Sequence, residues 1–63
     1  MITDEDKLAC VERELALRRQ VYPNLIRKGV MTSAIARRQI ELIEAIRDDY
    51  RVKIALEMFS EVD

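Results

Sequence analysis

Six cations stand out as the residues best placed to do chemistry: Arg18, Arg19, Arg27, Lys28, Arg37 and Arg38. They lie between residues 15 and 40, a stretch that holds no acid at all. Residues 1–14 hold five acids and two bases, and residues 41–63 hold seven acids and three bases, so a net charge of −1 conceals a strongly segregated chain. An acid-free basic segment can neutralise nucleic-acid phosphates or meet an acidic patch on a protein. The ordinary alternative is a solvated face whose cations cap a helix end and pair locally, as Glu14–Arg18 and Asp49–Lys53 do at four-residue spacing. Arg37 and Arg38 fit that alternative poorly, because they fall near a helix start, where the dipole disfavours positive charge.

Catalytic chemistry has little to work with. The chain has no His, one Cys and one Gly. Those counts exclude Ser/His and Cys/His nucleophile pairs, His-based metal motifs and a glycine-rich phosphate loop. The acidic pairs Glu41/Glu44 and Asp48/Asp49 lack the Glu-x-x-His spacing of a di-iron bundle. Cys10 follows acid-rich turns and reads as a small apolar residue rather than an activated thiol. No enzyme, cofactor or metal is expected.

These cations must be carried by helices. Thr3 followed by Asp4, Glu5 and Asp6 is an N-cap and an acidic first turn. Leu8, Val11, Leu15, Tyr22, Leu25 and Ile26 then recur at helical spacing. Arg27 and Lys28 suit a last turn, and Gly29 a helix stop. Thr32 offers a second N-cap, followed by Ile35, Leu42, Ile43, Ile46, Tyr50 and Ile54 on what reads as one face. The expected fold is all-α, an antiparallel helical hairpin forming one domain over residues 1–63. Its first helix spans about 4–28, its turn 29–32 and its second helix about 33–59. Pro23 either kinks the first helix or breaks it, with a short new helix starting at the proline.

A hairpin of 63 residues buries little of its surface. With one Cys and no His it has neither a disulfide nor a zinc site to help it. Cys10, Leu17 and Val21 form a second apolar stripe on the first helix, and Val52, Leu56 and Phe59 a second stripe on the next. Burying each such side chain is worth roughly 1.5–3 kcal/mol. A homodimer closing a four-helix bundle through these six residues is therefore expected. The acidic N-terminus, the absence of a long apolar run and a single unpaired Cys lead to the expectation of a cytoplasmic protein without membrane contact.

Four runs carry a resemblance: Cys10-Val11-Glu12-Arg13-Glu14, Arg18-Arg19-Gln20-Val21-Tyr22-Pro23, Gly29-Val30-Met31-Thr32 and Ile46-Arg47-Asp48-Asp49-Tyr50-Arg51. Over residues 10–51 the chain resembles short uncharacterised helical proteins encoded by phages and prophages of proteobacteria. No activity attaches to that group, so no functional residue carries over. The resemblance implies an accessory protein that binds a host or phage protein, or one encoded among genes of DNA metabolism. Combined with the charge pattern, the expected function is a non-enzymatic protein–protein interaction module acting as a homodimer. The alternative is a small DNA- or RNA-binding protein using the basic turn end.

Overall fold

A computed structural model describes residues 1–60. Two helices, α1 (Asp4–Arg27) and α2 (Ser33–Ser60), pack against each other as an antiparallel hairpin. The molecule is a slab of 54 × 21 × 14 Å.

Local chemistry explains both starts and the one stop. The Thr3 hydroxyl accepts the Asp6 N–H while the Asp6 carboxylate accepts the Thr3 N–H, both at 3.1 Å. This reciprocal capping box satisfies two backbone donors that a helix start leaves open. At α2 the Thr32 hydroxyl accepts the Ile35 N–H at 3.1 Å. The end of α1 closes with Gly29 N–H donating to the Ile26 carbonyl and Val30 N–H to the Leu25 carbonyl, each at 3.0 Å. That double closure requires a left-handed residue, and Gly29 supplies it with φ 77°. A Cβ at Gly29 would meet nothing within 4 Å, so the cost of replacement is conformational alone. Gly29→Ala should lower stability by about 1–2 kcal/mol, with Gly29→Asn milder because Asn tolerates this conformation. Paired urea denaturation of the two variants checks the order.

α1 runs unbroken through Pro23. The alternative of a new helix starting at the proline is thereby set aside. Pro23 removes one hydrogen bond, but Tyr22, Leu25 and Ile26 beside it are half-buried and keep the helical phase.

The seam between the helices is thin. Only Leu15, Ala36 and Ile43 are fully buried among the described residues. Half-buried Leu8, Val11, Tyr22, Leu25 and Ile26 of α1, and Ile40, Arg47, Tyr50 and Ile54 of α2, extend it. The expected seam of α2 needs correction. Ile35, Leu42 and Ile46 are 53%, 42% and 45% exposed, lying outside the seam rather than in it. On a wheel of 100° per residue they sit about 80–120° from Ala36 and roughly 60–100° from Ile43. Arg47, only 19% exposed in its side chain, takes a seam position instead by laying its aliphatic stem along the contact.

Among the described residues three ion pairs bridge the helices: Arg19–Glu44 at 2.7 Å, Arg51–Glu12 at 3.0 Å and Lys53–Asp4 at 3.2 Å. Lys53 thus pairs across the hairpin and not with Asp49, the partner its four-residue spacing suggested. Exposed pairs of this kind contribute at most about 1 kcal/mol each. Their main effect is on register, because sliding one helix by a turn would break all three.

A candidate interaction surface

The helices give the slab two unlike broad faces. One is charged. It carries Arg19–Glu44 and Arg51–Glu12 and a hollow of about 250 Å³ near the turn, lined by Arg19, Tyr22, Pro23, Ile26, Ser33, Ala36, Arg37 and Ile40. The opposite face is richer in apolar side chains, although the Arg18–Glu14 pair lies on it beside Leu17 and Val21. Cys10 and Val11 of α1 meet Ile46 and Tyr50 of α2 there along a groove of about 580 Å³, with Ile2, Asp6 and Lys7 at its end. Lys7 Nζ sits 5.9 Å from the centre of the Tyr50 ring, a cation–π distance.

The apolar face gathers Ile2, Leu17, Val21, Ile35, Leu42 and Ile46, half of the exposed large apolar side chains among the described residues. Leu17 and Val21 continue the line of Cys10 along α1, within about 40° on the wheel, and all three are exposed. Ile35, Leu42 and Ile46 form the matching line on α2. Val52, Leu56 and Phe59 are exposed as well, on the side of α2 turned away from α1. The stripe read from the sequence on α1 is thus present on the surface. On α2, the residues central to the apolar face are the three that sequence reasoning placed in the seam. No spacing signal separates them, because Ile35 and Leu42 are seven residues apart just as Ala36, Ile43 and Tyr50 of the seam are.

The six cations do not stay together. Arg18 donates to Glu14 at 2.9 Å, and Arg19 to Glu44, so both are neutralised midway along the rod. The Arg27 guanidinium donates to the Asn24 side-chain carbonyl. Lys28, Arg37 and Arg38 are exposed and, among the described residues, make no ion pair. The turn end therefore presents a smaller positive charge than the acid-free segment suggests, because Arg18 and Arg19 lie midway along the rod and are paired there.

No known family, curated protein or solved structure matches this chain. The surface must accordingly be read from its own chemistry. No described helix is long and apolar enough to cross a membrane. The surface features on which a function could rest are the apolar-rich face and a modest basic tip.

The far end of the rod holds a proton-sensitive cluster. A hydrogen bond from Lys53, first, and one from Glu57 hold the Asp4 carboxyl below its usual value. The bond to Asp4, and then desolvation, push the Glu57 carboxyl up, while Asp4 raises Lys53. Asp4 thus contributes stability that is complete above the ordinary carboxylate range and is lost as the pH falls through its lowered value. Glu57 has the opposite sign: its contribution is present below its ordinary value and is lost as the pH rises through the raised one. Glu57→Gln retains a donor toward Asp4 without the like charge. Thermal melts should show this variant gaining stability at pH 7 and gaining less at pH 4.

Proposed function

We propose that this chain is a non-enzymatic protein–protein interaction module that acts as a homodimer on a host or phage protein. One observation carries the reading. Among the described residues, twelve large apolar side chains are exposed, against three buried residues, and half of the twelve lie along one broad face. A patch of that extent on a small soluble domain marks an interaction surface, and a hairpin with so thin a core gains most from covering it. The accessory role on a host or phage protein is part of this proposal and rests only on the resemblance of residues 10–51 read from the sequence.

Lys28, Arg37 and Arg38, exposed and without acidic partners among the described residues, favour a second reading as a nucleic-acid-binding tip. Against it, Arg18 and Arg19 are already paired. Tyr22, the only aromatic near the turn, is half-buried and poorly placed for stacking on bases.

One experiment separates the two. The protein is titrated against labelled duplex DNA, single-stranded DNA and hairpin RNA at about 50 and 200 mM salt, and its mass is followed by sedimentation equilibrium. A dimer that leaves nucleic acid unbound at both salts supports the module. Salt-sensitive binding that is lost in a Lys28/Arg37/Arg38→Ala variant overturns it in favour of the second reading.

A further inference from the structure

We propose that the apolar face is covered by a second copy of this chain running in the opposite direction. In this arrangement α2 packs on α2 of the other copy, and Arg38 of each faces Asp49 of the other. The proposal rests on the homodimer reading above and specifies its interface.

The order of residues along the exposed stripe of α2 carries the argument. Arg38, Leu42, Ile46 and Asp49 follow at three- and four-residue steps and read basic, apolar, apolar, acidic. Such a pattern is complementary to itself when reversed. A two-fold axis crossing α2 near residue 44 sets Leu42 of one copy against Ile46 of the other. It also brings Arg38 to within one residue of the level of Asp49, at both ends of the apolar centre. Arg38 and Asp49 are exposed, and among the described residues neither makes an ion pair or side-chain hydrogen bond. By contrast, Glu44, Arg47, Arg51 and Lys53 of the same helix all do. Arg37 and Glu41 also lack an internal partner among the described residues, but they lie about 100° or more from the middle of this stripe on the wheel. Arg38 and Asp49 are the unpaired charges that flank the apolar centre.

The charge of the whole rod points the same way. Its turn end belongs to the acid-free segment, and its open end carries the acidic termini. Two copies side by side in the same direction would press basic turn against basic turn. Reversing one sets each turn against the other's acidic end, and like-charge juxtaposition across an interface is strongly disfavoured. In the resulting dimer Arg38 belongs to the interface, so the basic tip is reduced to Lys28 and Arg37 beside Arg27. Two such tips stand at opposite ends of the rod.

Charge exchange tests this directly. Arg38→Glu and Asp49→Arg each place two like-charge contacts in a homodimer, and each should weaken dimerisation by roughly tenfold or more. Mixed in equal amounts, the two variants satisfy both contacts. Native mass spectrometry should then show a heterodimer well above its statistical share, and the double variant Arg38→Glu/Asp49→Arg should recover dimerisation. Recovery in the mixture also shows that the single variants can fold. If the wild-type chain is monomeric by sedimentation at about 100 μM, a concentration at which a micromolar dimer would be nearly saturated, the homodimer reading itself fails. If the wild type is dimeric but the mixture shows no preference for the heterodimer, the homodimer stands and the reversed arrangement is overturned.

Discussion

Leu15→Ala should unfold most of the protein at room temperature. Leu15 is 3% exposed, the most buried side chain described, and shares full burial only with Ala36 and Ile43. A buried Leu→Ala change costs about 2–5 kcal/mol, the larger values arising where the cavity cannot collapse. Here collapse has little to draw on, because the seam is one layer of side chains between two helices. The total stability of a small domain is only about 5–15 kcal/mol, and short chains sit at the low end. Far-UV circular dichroism should show lost helicity, with a urea midpoint far below that of the wild type. Ala9→Gly and Ala16→Gly, at exposed positions of the same helix, should each cost only about 1 kcal/mol. Their comparison with Leu15→Ala separates packing from helix propensity.

Leu42→Glu should abolish self-association while leaving the hairpin seam intact. Leu42 is 42% exposed in the single hairpin, so the substitution does not empty the core. In a two-fold dimer each change acts twice. Losing roughly 1.5–3 kcal/mol of burial at each of two sites, together with the cost of a carboxylate at an apolar contact, should raise the dissociation constant at least a hundredfold. The readout is coupled to folding. A wild-type dimer melts at a temperature that rises with protein concentration, because association stabilises the folded chain by mass action. The Leu42→Glu variant should melt lower and independently of concentration. Ala55→Glu, exposed toward the charged face, should keep both the dimer mass and the concentration dependence. Equal loss in the two variants would mean that the apolar face is not the interface.

Much of the hairpin was legible in local spacing. Thr3 and Thr32 mark the helix starts, because a side-chain oxygen before an apolar periodic run satisfies nearby N–H groups whatever the rest of the chain does. Gly29 marks the stop, because only glycine enters the left-handed conformation at no steric cost. The seam of α1 was legible too. Its apolar residues fall into two separated stripes, and Leu8, Val11, Leu15, Tyr22, Leu25 and Ile26 all prove buried or half-buried.

The seam of α2 was not legible, for a physical reason. Ile35, Ile40, Leu42, Ile43 and Ile46 spread over an arc wider than one helix can cover, so hydrophobicity alone does not choose a face. Packing shape and ion pairing chose it. The small Ala36 enters the contact where Tyr22, Pro23 and Ile26 of α1 crowd the same hollow. Arg51 and Lys53 pair with Glu12 and Asp4 only when α2 is turned to present Ile43, Tyr50 and Ile54 to α1. Charge behaved similarly. The acid-free segment is real along the chain, yet Glu44 reaches Arg19 across 25 positions and removes part of it in space.

What the amino-acid sequence alone determined were the two helices, their caps, the glycine stop and the antiparallel pairing, all set by interactions within about four residues and by a short connection. Only the tertiary structure decided which apolar stripe of α2 is spent inside the hairpin and which is left outside. That choice depends on side-chain shape and on charges far apart in the chain, brought together only when the helices dock. It determines the surface this protein can offer to anything else.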